Sequence, residues 1–124
     1  MNRITRTIDD GTEPFPGNSY TGVWEVLWPN GNLKYRANFV EGKEHGLSQC
    51  WWENGVLAQQ GEFEDGVPVG IWKDYFEDGS LNKETEYISG RILFFQRVYD
   101  SDGNMYLKRE FRDGIKIKEE YVEE

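Results

Sequence analysis

Residues 51–70 read WWENGVLAQQGEFEDGVPVG, and the phrase Trp52-Glu53-Asn54-Gly55 within them decides the fold. The chain writes WPNG at 28–31, and then FEDG at 76–79 and DSDG at 100–103, so the phrase returns every 24 residues. Glycine follows the same step. Gly31, Gly55, Gly79 and Gly103 form one column, and Gly42, Gly66, Gly90 and Gly114 a second. Gly22, Gly46 and Gly70 form a third, broken by Phe94. A fixed period of this length marks a repeat protein, in which each unit is one supersecondary element.

Between the glycines run four apolar columns: Val23/Leu47/Ile71/Phe95, Leu27/Trp51/Tyr75/Tyr99, Leu33/Leu57/Leu81/Met105 and Phe39/Phe63/Tyr87/Phe111. The segments are short, glycine-bounded and rich in aromatic residues, which argues for strands over helices. Every column is odd-numbered, and alternate residues of a strand share a face. The odd set is therefore expected to form the core. Glu25, Gln49, Lys73 and Arg97 fall between its members, at an edge or a wet seam.

The repeated phrase then reads as a hairpin turn. Odd can face odd across a hairpin only if the loop has an odd number of residues. A two-residue Asn-Gly loop would turn half of the apolar set to water. A type I turn followed by a left-handed residue uses three. Pro29-Asn30-Gly31, Glu53-Asn54-Gly55, Glu77-Asp78-Gly79 and Ser101-Asp102-Gly103 fit it, with Pro29 presetting the first angle and glycine taking the positive φ. The expected fold is all-β: an elongated, twisted antiparallel sheet of consecutive hairpins. Residues 20–114 hold four repeats, 1–19 an N-terminal arm or cap, and 115–124 a C-terminal cap strand.

Composition bounds the function. The formal charge is −9, from 23 acids against 14 Lys and Arg. Such a chain is repelled by nucleic acid and anionic membrane and attracted to basic partners. One cysteine, Cys50, allows no internal disulfide. The start MNRITRTIDDGTEPFPG has no apolar core of a signal peptide, and no stretch approaches the roughly 18 apolar residues of a membrane span. A cytoplasmic location is expected.

The glycine columns, with the Y/F-x-x-G and N/D-G-x-L phrases, resemble MORN repeats in their variant form. The resemblance covers about residues 20–114. It is clearest in WWENGVLAQQGEFEDGVPVG (51–70) and DYFEDGSLNKETEYISG (74–90), and weaker in the fourth copy, where Asp100 and Phe94 replace an aromatic and a glycine. It implies an interaction scaffold without shared catalytic residues. Bacterial proteins of this kind are often classed as antitoxins or immunity proteins, and other MORN proteins are implicated in membrane contact or assembly.

Little in the chain supports chemistry. His45, the single histidine, has no orienting partner in the sequence and reads as an exposed loop residue. Cys50 reads as a small hydrophobe. The glycine-bearing segments precede no helix and lack the phosphate-loop lysine. DSDGN lacks the final glutamate of a calcium loop, and its Asp102-Gly103 is explained by the turn. No enzyme activity, cofactor or metal site is expected.

The even face holds the candidate binding residues. Trp28, Trp52 and Phe76 form an aromatic column, Trp24 and Trp72 add two rings, and Glu62, Glu86 and Glu110 form a column of acids. Exposed rings are common binding anchors, and acids select a basic partner. The competing reading packs these rings on one another or beneath the terminal arm. The expected function is non-catalytic protein binding, foremost of a basic toxin such as a nuclease, by an immunity or antitoxin-like protein. The alternative is an assembly module with no toxin partner. Neither nucleic acid nor membrane is an expected partner, and the open edge strands allow a homodimer.

Overall fold

The computed structural model describes residues 3–7, 19–88 and 93–122, with backbone only at 6 and 7. Ten strands form one sheet in sequence order. They are β1 (Arg3–Thr7), β2 (Gly22–Leu27), β3 (Leu33–Val40), β4 (Lys43–Trp51), β5 (Leu57–Glu64), β6 (Val67–Tyr75), β7 (Leu81–Tyr87), β8 (Leu93–Tyr99), β9 (Met105–Arg112) and β10 (Ile115–Tyr121). Neighbours pair antiparallel, except that β1 runs parallel to β2. Every regular element among the described residues is a strand, as the glycine-bounded pattern demands. Most of the 1–19 segment and the join at 89–92 lie outside the described residues.

The three-residue turn is present in all four copies. In the second, Gly55 N–H donates to Trp52 O at 3.0 Å and Trp52 N–H to Val56 O at 2.9 Å. Gly31, Gly55, Gly79 and Gly103 have φ of 91°, 88°, 91° and 86°, the left-handed region that glycine enters without a Cβ penalty. The joins are hairpins as well. Glu41-Gly42, Asp65-Gly66 and Asp113-Gly114 each place two successive residues at positive φ, the requirement of a two-residue type I′ turn. Tight turns thus alternate at the two ends of the strands.

The sheet departs from the expected parity just inside each three-residue turn. Leu27 faces Leu33, odd to odd, but the next pair is Val26 with Tyr35, so the register skips Lys34, whose ammonium lies 4.6 Å over the Trp28 ring. Ala58, Asn82 and Tyr106 are skipped in the same way in the later copies. A bulge inserts one residue and reverses which parity faces which. Beyond it, even residues of the outgoing strand share a face with odd residues of the return strand, as Trp24 with Ala37 and Trp72 with Thr85.

This corrects the assignment of the whole odd set to the core. Phe39 is buried, but Leu47 is 41% and Ile71 50% exposed. The even-numbered Trp24 and Trp72, expected on the display face, are only 4% and 7% exposed. One face is built around aromatic rings. Trp24, Val26, Ala37 and Phe39 cluster there with Ile4, Tyr20 and Tyr35. Farther along, Phe63 meets Trp72 edge-on at 4.8 Å, Tyr87 lies 5.4 Å from Phe94, and Phe94 stacks on Phe111 at 4.5 Å. We call this the aromatic face, and the other the seam face.

Candidate partner-binding face

The seam face takes its name from a polar row that crosses the sheet one residue per strand. Cross-strand pairing joins Glu25 to Arg36, Arg36 to Gln49, Gln49 to Gln60 and Gln60 to Lys73. The row continues through Glu84 and Arg97 to Lys108. Several members bond directly. Arg36 Nε donates to Glu25 Oε2 at 3.0 Å, Gln49 Nε2 to Gln60 Oε1 at 2.7 Å, and Arg97 Nε to Glu84 Oε1 at 3.3 Å. Glu25, 6% exposed, is also held by Arg3 and Thr5. Burial pushes the Glu25 carboxyl up, but its bonds from Arg36, Arg3 and Thr5 outweigh this and hold it below 4.5. Glu84 is lowered chiefly by the Tyr99 hydroxyl, with Arg97 assisting. The seam residues expected at an edge or wet line are a cross-strand ladder.

Beside the seam runs a second row, in which apolar side chains and carboxylates alternate. Leu47 pairs with Glu62, Ile71 with Glu86, and Phe95 with Glu110; Glu62 also faces Val69, and Glu86 faces Phe95. Leu47, Glu62 and Ile71 are exposed, and Phe95, Glu86 and Glu110 half-buried. Glu86 accepts from Arg97 Nη1 at 3.2 Å. A groove of about 400 Å³ opens here, lined by Leu47, Gln60, Glu62, Val69, Ile71 and Tyr75, with Lys73 at its wall. This row offers apolar area and negative charge within the reach of one bound side chain.

The eight residues expected to form one surface are therefore divided. Glu62, Glu86 and Glu110 lie together on the seam face. Trp24 and Trp72 belong to the aromatic face, where their burial removes them as exposed anchors. Trp72 lies over Gly61 and its Nε1 donates to Glu62 O at 3.1 Å. Trp28 and Trp52, half-buried, staple neighbouring turns: their Nε1 atoms donate to Trp51 O at 3.0 Å and Tyr75 O at 3.2 Å. Phe76 holds the equivalent place, half-buried, with a ring that has no N–H to donate to the next repeat. In the fourth copy Asp100 takes that place and accepts from its own turn, from Asp102 N–H and Asn104 N–H.

Turn asparagines reinforce the same contact. Asn30 Nδ2 and Asn54 Nδ2 donate to Glu53 O and Glu77 O of the next repeat, while their Oδ1 atoms accept from Asn32 N–H and Val56 N–H. Asp78 keeps the local bond to Ser80 but has no donor for the next turn. The other strand ends stack too: Gly42 N–H reaches Tyr20 O, and Gly66 N–H reaches Glu44 O. His45 lies in β4 instead of a loop, and its Nδ1 accepts from Asp65 N–H at 3.3 Å. Cys50 is half-buried on the aromatic face, between Tyr35 and Gln59 of the flanking strands. Tyr35 donates to Glu44; burial raises the pKa of both groups.

Leu47, Ile71 and Phe95 are the candidate binding residues that sequence reasoning assigned to the core. The acid column at 62, 86 and 110 marks the row, but acids alone do not say whether the apolar residues beside them are open to water: Glu25 is buried next to the buried Val23.

The geometry defines a class: a single-sheet β-hairpin repeat protein with one packed face and one mixed apolar and acidic face. The chain belongs to the MORN repeat variant family, whose pattern matches residues 20–41, 44–65 and 68–89, slightly more than half its length. Those stretches correspond to the β2–β3, β4–β5 and β6–β7 hairpins. The β8–β9 hairpin, which repeats the geometry with Asp100 and Phe94 in altered positions, lies beyond the matched residues. MORN repeats generally mediate contacts with proteins or membranes, and the family is generally non-enzymatic. The match carries a binding character and does not extend to a toxin-neutralising role. No curated protein and no solved structure matches the chain.

Proposed function

We propose that the protein is a non-catalytic binding module that engages a basic protein through the second row of the seam face. The observation that carries this reading is the direct pairing of Leu47, Ile71 and Phe95 with Glu62, Glu86 and Glu110. Apolar side chains desolvated at a contact supply most of the binding energy, while the flanking acids steer a positive partner and reject a negative one. The net charge of −9 extends that attraction over the whole molecule. A toxin that handles nucleic acid carries a positive groove of the kind this row complements, and its occlusion in the cytoplasm is the role we assign. Growth of cells expressing that toxin, with and without this chain, tests the role itself.

Binding to the partner, captured on the tagged chain and then purified, tests the surface. Ile71→Ser should speed dissociation. Glu62→Lys with Glu86→Lys should slow association by roughly tenfold or more at low salt, with the difference shrinking as salt screens the field. Binding unchanged by all three substitutions would refute the assignment.

A further inference from the structure

The last strand offers a second surface, independent of the seam-face row. All seven residues of β10 are exposed, and β10 ends the sheet, so one edge of its backbone is unpaired among the described residues. Ile115, Ile117 and Tyr121 are 67%, 49% and 69% exposed, unusual for large apolar side chains at an edge. Such an edge is a template for another strand. Its charge order selects which one. Lys116 and Lys118 precede Glu119 and Glu120, so the strand is positive in its first half and negative in its second. Read against its own reversal, that order places opposite charges together. Opposite charges facing across antiparallel strands are favourable, and like charges are not.

We propose that β10 pairs antiparallel with β10 of a second copy of this chain, about a two-fold axis at Glu119. In that register Lys118 faces the partner copy's Glu120, and Ile117, which the pairing with β9 skips, bounds the regular segment that pairs. Lys118 and Glu120 also share a side of the sheet, since they pair in-chain with Glu110 and Lys108. Glu119 meets its own copy at the axis with its charge already offset. Arg109 Nε donates to it at 2.9 Å and Lys116 Nζ at 3.0 Å. A two-fold contact closes on itself, whereas joining β10 to the β1 edge would build an open filament. The β1 edge does not suit self-pairing, because it carries Arg3 and has no acid to set against it.

Analytical ultracentrifugation of the chain and two charge variants tests this. The parent chain should show a concentration-dependent monomer–dimer equilibrium. Lys118→Glu places two acids opposite each other twice per dimer, and Glu120→Lys two bases. Each variant alone should dimerise roughly tenfold or more weakly. Mixed in equal amounts, the two should form a heterodimer, because the acids at 118 and 120 of one then meet the bases at 120 and 118 of the other. Mere fraying of β10 by either substitution would not be repaired by mixing. A parent chain that stays monomeric at its highest soluble concentration would overturn the proposal. So would an open-ended polymer, a dimer indifferent to both substitutions, or variants that fail to combine.

Discussion

Gly61→Ala is the most exacting probe of the aromatic face. Gly61 is buried in β5, and a Cβ built there would fall 2.0 Å from Trp72 Cδ2 and 2.2 Å from Cε2. Carbon atoms rest at about 3.5–4.0 Å, so the indole must retreat by more than an ångström. Moving it strains the edge-on contact with Phe63 and the bond from Nε1 to Glu62 O. Overpacking costs about 1–3 kcal/mol and the weakened hydrogen bond about 0.5–1.5. Alanine's smaller unfolded-state entropy returns about 0.4–1. Gly61 is not among the glycines at positive φ, so backbone strain adds nothing. The net expectation is a loss of about 0.5–4 kcal/mol, centred near 2, read from the urea midpoint with tryptophan fluorescence and far-UV circular dichroism. In a Trp72→Ala background the same substitution should cost almost nothing, because the ring it strikes is gone. Equal costs in the two backgrounds, or a parent chain stabilised by Gly61→Ala, would refute the close packing of Trp72 on β5.

Other consequences can be checked in the same unfolding assay. Gly55→Val should cost a few kcal/mol, since a β-branched residue is forced to φ near 88°; an unchanged midpoint would contradict the three-residue turn. Asn54→Asp keeps the acceptor for Val56 N–H but removes the donor to Glu77 O, and should cost about 0.5–1.5 kcal/mol. Glu25 and Glu84 titrate below their unfolded value of 4.5, so the stability they add is present above that value. It is lost as pH falls through their folded values, and Glu25→Gln should flatten this acid limb in unfolding curves taken at a series of pH values. Asp74, raised by burial, runs the other way: the folded state takes up its proton more readily, so Asp74→Asn should remove a penalty at neutral pH.

The turns were legible in the sequence because positive φ leaves few choices. Gly31, Gly55, Gly79 and Gly103 recur for that reason, and the loop length followed from them. The bulges were not legible. Lys34, Ala58, Asn82 and Tyr106 share the period but no chemistry, so no single residue type marks the place where the register skips. One skipped residue reverses parity, so Trp24 and Trp72 exchanged places with Leu47 and Ile71 between expectation and structure. The type I′ joins carry Asp65-Gly66 and Asp113-Gly114, dipeptides that accept two successive positive φ angles. At the candidate site the acid column was readable, since Glu62, Glu86 and Glu110 stand at one period. Its apolar companions were not, because Leu47 in an amphipathic strand looks the same whether its face is covered or open.

The central claim is that the two faces divide the work, the aromatic one packing and the seam one binding. Side-chain footprinting with a diffusing radical label, on the free chain and on its complex with the captured basic partner, tests it most directly. Leu47, Ile71 and Phe95 should lose labelling on binding, while Tyr35, Phe63 and Phe111 on the aromatic face label equally in both states. Protection of the aromatic-face residues with Leu47 and Ile71 unchanged would contradict the account.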